Sequence, residues 1–296
     1  MSNDTYHVFT HKDLDGAVSL LTFLWSKPND TVIFNGITNL EICKIKDYVK
    51  NTVNPKNIYI FDISLRPEFL PELDKSYITI IDHHKRSEEF LNSFKNSKIL
   101  HKEYSSNCLL LKKLLFKDDS VLNAQQKKLI ELTDDFDSNT FSINESSDLN
   151  ILFWLEYKNN FNKFISDYKN GYVSPTPEQA KKINFAKSVA QKEASNVNPY
   201  IGTLSISGQT KKTIGIQIEN PNHLTLDAIM KSYDADLYFF IIPKYNKVII
   251  KQKQTDLRID LPNFCKKFCD GFGNMYSATG KITPLFMELT KNLKPL

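Results

Sequence analysis

The fold is decided by residues Ile58–His84, IYIFDISLRPEFLPELDKSYITIIDHH. Two apolar runs, Ile58–Phe61 and Ile78–Ile81, each close on an aspartate, Asp62 and Asp82. A short continuous apolar run is how a strand covered on both faces reads. Working outward, Tyr6–Thr10 and Thr31–Asn35 read as two earlier strands, with helices expected over Ala17–Trp25 and Leu40–Lys50. Strand runs alternating with helix-period segments give a parallel sheet with crossover helices. Ser105 and Ser106 cap a helix through Phe116, and Asn123 caps another that ends near Asp134.

From Leu149 to Asn198 the pattern turns helical, interrupted by Pro175-Thr176-Pro177, with a hinge expected near Gly171. Strand-like runs return at Thr213–Ile218, Leu237–Ile242 and Lys247–Lys251, with helices around Leu224–Tyr233 and over Leu261–Cys269. The expected architecture is α/β: a parallel-sheet domain over 1–150, a helical connector over 151–198 and a smaller α/β domain over 199–296.

The bulk composition excludes little. The chain has 296 residues, and a formal charge of +4 is too small to mark a nucleic-acid binder by itself. No apolar stretch is long enough to cross a membrane. A polar N-terminus leads straight into the first strand, so no signal peptide is expected. Cys43, Cys108, Cys265 and Cys269 form no CxxC pair, and Cys265 and Cys269 share one helix face as buried small residues. Reduced thiols and a cytoplasmic location follow as expectations.

Four clusters carry chemistry. His11-Lys12-Asp13-Leu14-Asp15-Gly16 follows the first strand, and its three alternating donors would aim to one side of an extended segment, with Gly16 allowing a tight turn into the helix. Asp62 ends a buried strand, where open α/β sheets place their ligands. Asp82-His83-His84 ends another, and histidine beside carboxylate suits a divalent transition metal. Asp134-Asp135-Phe136-Asp137 closes a helix, where carboxylates oppose the dipole unless a cation lies nearby. Each alone also reads as a solvated loop, a cap or a charged helix end. Together they supply enough carboxylate and imidazole for two divalent ions sharing one carboxylate. Hard oxygen donors mixed with imidazole favour manganese, with magnesium as the alternative.

In this order the motifs HKDLDG, Asp62, Asp82-His83-His84 and the aspartate after a later helix resemble the DHH phosphoesterase superfamily. The resemblance implies His11, Asp13 and Asp62 on one metal, and Asp15, Asp62, His83 and Asp135 on the other. Asp62 bridges, and Asp135 is taken in preference to Asp134. It also implies that His84 contacts the scissile phosphate beside Asp82. The C-terminal part resembles a divergent DHHA1 domain. Asp256-Leu257-Arg258 looks like its phosphate-clamping element, and Gly271-Phe272-Gly273-Asn274 like its glycine loop, without the family's histidine. Arg258, Gly271, Gly273 and Asn274 are thereby implied in substrate binding. Lys211, Lys212, Lys244, Lys247, Lys251 and Lys253 lie among Tyr238, Phe239, Phe240 and Tyr245, which reads either as a stacking surface or as ordinary core and solvated face.

The function this implies is two-metal hydrolysis of short single-stranded oligonucleotides or nucleotide phosphoesters, resembling the nanoRNase type of oligoribonuclease. The alternatives are an exopolyphosphatase or pyrophosphatase-like hydrolase, and a non-catalytic nucleotide or nucleic-acid binding module. No membrane partner is expected, and a homodimer stays open.

Overall fold

The structure, a computed structural model, describes residues 4–65, 67–84, 88–102, 104–138, 140–219, 222–253, 259–273 and 277–296. The chain divides into two compact units, Met1–Gln179 and Ala180–Leu296.

The first unit is built on a five-stranded, all-parallel sheet: β1 (Thr5–His11), β2 (Thr31–Ile37), β3 (Ile58–Phe61), β4 (Ile78–Asp82) and β5 (Lys98–His101), in the order β2-β1-β3-β4-β5. Its helices are α1 (Leu14–Ser26), α2 (Cys43–Asn51), α3 (Leu70–Leu73), α4 (Glu88–Leu91), α5 (Asn107–Leu115), α6 (Ala124–Asp137), α7 (Asn144–Leu152) and α8 (Phe161–Asp167). Alternation along β3 divides the core. Ile58 and Ile60 pack with Ile45 and Val49 of α2 and Leu73 of α3 on one face. On the other, Tyr59 and Phe61 meet Phe23 of α1 at ring distances of 4.9 and 5.3 Å.

The strand order fixes where a ligand can sit. The chain leaves β1 for β2 on one side and returns to β3 on the other, so a crevice opens between the C-terminal ends of β1 and β3. His11 ends β1, Asp13 caps α1 and Asp62 follows β3. The strand-end aspartates therefore converge because of topology.

The second unit carries a seven-stranded mixed sheet, β10-β11-β9-β8-β7-β6-β12. Its strands are β6 (Tyr200–Ile206), β7 (Gln209–Gln217), β8 (Leu237–Ile242), β9 (Lys247–Gln252), β10 (Phe272–Gly273), β11 (Ser277–Lys281) and β12 (Lys294–Pro295). Among the described residues only β7 and β8 run parallel, joined through α10 (His223–Ser232). One face packs on α11 (Leu261–Cys269) and α12 (Pro284–Thr290), and the other on α10 and the C-terminal part of α9 (Pro177–Ser195). Tyr238, Phe239 and Phe240 are fully buried, alternating between the two cores, so they offer no stacking surface; Tyr245 stays exposed. Lys251 pairs with Asp227 at 3.0 Å, and Lys212 and Lys253 pair with Asp234. Much of the expected basic character is thus neutralised locally. Cys265 and Cys269 are buried and form no disulfide.

The helical stretch after residue 150 differs from a freestanding connector. Up to Gln179 it belongs to the first unit: Trp25 donates to the Lys169 carbonyl, and the Tyr172 amide to Gln125. Gly171 is a packing position, with φ +108° and an added Cβ only 2.3 Å from the Gln125 backbone. That contact, more than a hinge, accounts for its glycine.

Gly16 shows the same principle at the crevice. It is helical, and a Cβ there would fall 2.1 Å from the His11 carbonyl oxygen, so glycine is required by close approach of α1 to the end of β1. Thr10 Oγ1 donates to the Gly16 carbonyl at 2.7 Å and locks the junction. Gly16→Ala must push α1 off the sheet, and we expect a loss of ~3 kcal/mol. A urea midpoint equal to wild type would contradict this packing account.

Candidate metal centre

Asp13 caps α1, its Oδ1 accepting the Gly16 amide at 2.9 Å, while Oδ2 takes the His11 Nδ1 hydrogen bond. Asp15 lies in the first turn of α1 and is buried. Both its oxygens are held by the N-terminus of α5, from the amides of Asn107 (2.7 Å) and Cys108 (2.9 Å). Ser106 caps that helix and donates to Asp134 at 2.6 Å. Two amides at a helix N-terminus are a strong anion holder, so Asp15 is fixed in place.

Asp62 is buried and adopts φ +58°, the left-handed region that costs a residue with a Cβ about 1–2 kcal/mol. Its amide donates to the Ile81 carbonyl at 3.0 Å, so strand pairing continues through the strained residue. Such strain persists where surrounding structure imposes it, and it turns the carboxylate back into the crevice.

His83 Nδ1 donates to the Tyr104 carbonyl at 3.0 Å, which sets the tautomer. Its Nε2 then lies among three carboxylates: Asp62 at 3.4 Å, and Asp15 and Asp137 at 3.7 Å each. A ring nitrogen freed by a backbone hydrogen bond on the other side is how metal-binding histidines are set. His84 is tied by ring and amide to Asp82 Oδ1, at 2.7 and 3.3 Å, and its carbonyl accepts from His101 Nε2 at 2.9 Å.

The fourth cluster divides its labour. Asp134 accepts from Ser105 and Ser106 and so ties α6 to the start of α5. Asp135 turns away from the crevice, and its two oxygens take the Ser142 amide and hydroxyl, the Ile143 amide and the Ser146 hydroxyl. Those bonds outweigh its burial and hold it below the usual carboxylate range. Asp137, on the last turn of α6, is the residue that reaches the group. The structure thus places Asp137 where the sequence resemblance had put Asp135. Helix α6 runs three residues beyond its expected end at Asp134, and that extra turn decides which carboxylate faces inward.

Three overlapping sets of donors result: His11, Asp13 and Asp62; Asp62, His83 and His84; Asp15, His83 and Asp137. Within each set the donor atoms lie within 4.8 Å of one another. Donors around an ion with bonds of roughly 2.1 Å stand about 3–4 Å apart, so each set needs only slight contraction. Asp62 joins two sets, as a bridging carboxylate would. Without a cation the crowding is costly. Burial and the charges of Asp15 and Asp13 push Asp62 up to about 7. Burial and Asp15 push Asp137 well up. Burial opposes the charge on His11 and His83, yet the carboxylates outweigh it and raise them to about 10 and 11. An excess of negative charge that otherwise holds protons fits divalent ions.

The remaining residues implied by the resemblance lie in the second unit. Arg258 and Asn274 fall outside the described residues. Gly273 belongs to an antiparallel ribbon, opposite Ala278, Gly271 directly precedes that ribbon, and an element of strand follows instead of a helix. A Cβ would stand 2.2 Å from the Thr279 carbonyl at Gly271, and 2.3 Å from Ala278 at Gly273. Close backbone approach accounts for both glycines.

No sequence-family profile and no curated protein matches the chain. Solved structures do. The pGpG-specific phosphodiesterase PggH from Vibrio cholerae superposes with a TM-score of 0.59 over 97% of this chain and 96% of its own, at 11% identity. The DHH domain of PF0399, described as a member of a family of ribosomal proteins, gives 0.59 over 99% and 87%, at 10% identity. The chain has the DHH-domain fold. RecJ from Thermus thermophilus in complex with Mn²⁺ gives 0.56 over 99% of this chain but 53% of RecJ, at 9% identity. The DHH fold therefore spans this chain while making up about half of that RecJ.

The assignment of roles within α6 is open to a direct test. Asp137→Asn should weaken Mn²⁺ binding at least ~10-fold, while Asp135→Asn should keep the ion count and lose ~1–3 kcal/mol of stability. Calorimetric titration with Mn²⁺ and urea unfolding read the two effects. Loss of an ion in Asp135→Asn with Asp137→Asn unaffected would reverse the assignment.

Proposed function

We propose that this chain is a metal-dependent phosphoesterase that hydrolyses short oligonucleotides or nucleotide phosphoesters with two divalent ions. The observation that carries the reading is the overlap of donor sets on Asp62 and His83. His11, Asp13 and Asp62 would hold one ion, and Asp15, Asp62, His83 and Asp137 the other. The donor set is oxygen and imidazole without thiolate, which suits Mn²⁺ or Mg²⁺. When bound, two such ions supply a nucleophile at neutral pH and positive charge against the phosphate oxygens. The likeness of fold to a phosphodiesterase and to RecJ, one of them holding Mn²⁺, agrees with this reading.

The chain's own groups do the rest. Asp13 and Asp15 are held by backbone amides before any ion arrives, so the geometry is set in advance. His84 keeps its Nδ1 on Asp82, which leaves Nε2 as the ring's free donor for a phosphate oxygen. Burial opposes its charge, but Asp82 and then Asp62 raise it to about 9. Ions on Asp62 remove part of that support and leave Asp82. His84 can then hold a phosphate through Nε2, with Asp82 orienting it.

Asp62→Ala should abolish Mn²⁺-dependent cleavage of dinucleotides while the chain stays folded by circular dichroism; robust turnover by that variant would sink the two-ion reading. His84→Ala should lower kcat about 10²-fold or more with the ion count unchanged. Because the His84 pKa is raised, its cationic form is present at low pH and lost as pH rises through the folded value. The wild-type rate should therefore fall between pH 6.5 and about 9 on a limb that His84→Ala lacks.

A further inference from the structure

His101 ends β5, opposite Asp82 in the register of β4 and β5, and lies outside the three donor sets. Beyond the Asp82–His101 pair the strand register ends, and bonds from ring to backbone continue the link. His101 Nε2 donates to the His84 carbonyl at 2.9 Å, and His83 Nδ1 donates the other way, to the Tyr104 carbonyl at 3.0 Å. The segments that follow β4 and β5 are thus tied by two bonds of opposite sense.

The two bonds do different work. The one from His83 sets its own ring against the carboxylates. The one to His84 leaves that ring alone, because Asp82 Oδ1 already holds the His84 ring and amide, at 2.7 and 3.3 Å. His101 fixes the third point, the carbonyl. A residue held at ring, amide and carbonyl keeps little torsional freedom, so the aim of Nε2 is set before a substrate arrives. His84 also belongs to a donor set with Asp62 and His83, so this aim is taken at the metal centre itself. We propose that His101 is a positioning residue for phosphoester hydrolysis, acting through His84 by fixing its carbonyl and with it the direction of Nε2. A neutral imidazole is donor enough for this, and His101 itself touches no reacting atom. The proposal rests on the phosphoesterase reading above.

A double-mutant cycle separates this role from simple bracing of a loop. The substrate is diadenylate or bisphosphoadenosine with Mn²⁺, whichever wild type cleaves faster. His101→Leu keeps the bulk and removes the donor. It should lower kcat ~10-fold with KM and the Mn²⁺ count little changed, because His83 keeps its own anchor on Tyr104. In a His84→Ala background the same substitution should change kcat by less than ~2-fold, since the ring it acts through is gone. His101→Gln keeps an N–H donor at similar reach and should return kcat to within ~2-fold of wild type. Hydrogen exchange at the His84 amide, followed before Mn²⁺ is added, should quicken about 10-fold in His101→Leu and stay near wild type in His101→Gln. Equal losses of kcat in the two backgrounds, a Gln variant as slow as Leu, or exchange unchanged in His101→Leu each overturn the positioning role and leave the phosphoesterase reading standing. Wild type that cleaves neither substrate overturns that reading, and the positioning role with it.

Discussion

Mutual repulsion among four carboxylates is the constraint on which the first unit turns. Asp13, Asp15, Asp62 and Asp137 are gathered around His11 and His83 at the C-terminal edge of the parallel sheet. Two unit charges about 4 Å apart repel by ~4 kcal/mol at an effective dielectric of about 20. Several such pairs rival the whole stability of an ordinary domain, about 5–15 kcal/mol. The cluster can exist only with protons or cations inside it. The upward displacement of Asp62 and Asp137, and the persistent charge on both histidines, are the proton-bearing solution. Divalent ions are the other.

The scaffold works against that repulsion before any ion arrives. The α5 N-terminus presents two amides to Asp15, and Ser106 joins that helix to Asp134 on α6. The same α6 carries Asp137 into the group and sends Asp135 outward to organise the following loop. Three aspartates within four residues therefore hold three different neighbours: one helix start, one loop and one charge cluster. Removing any of them would perturb the site, yet only one belongs to the donor sets, which is why activity loss alone is a poor guide to ligation here.

Legibility in the sequence followed the physics of each feature. The strands β3 and β4 were plain because both faces are buried and every residue reports it. β5 and β6 escaped notice: KILH is short and half exposed, and YIGTLSI alternates weakly around a glycine. His11, Asp13, Asp15, Asp62 and His83 were legible because strand ends in one parallel sheet share an edge. Asp137 was not, since an aspartate pair spaced by one residue leaves the choice to the last turn of a helix, and helix ends are the least certain part of any pattern. The amides of Asn107 and Cys108 and the carbonyl of Tyr104 leave no side-chain signature at all. The capping serine at 106 was the one mark of a helix start aimed at the crevice.

Substrate choice is a separate question from the chemistry of the centre. In the second unit Gly271 and Gly273 have a complete packing explanation, so their presence no longer calls for a ligand. The aromatic run of β8 is core, and several of its neighbouring lysines are paired. A glycine that packing demands, or a tyrosine that the core demands, carries no information about what the protein binds. Information lies where local structure is expensive without a packing return. Asp62 is such a place in the first unit: it has positive φ and is turned into the charge cluster. On the proposed two-ion reading, an ion drawing on that carboxylate accounts for the strain of its backbone.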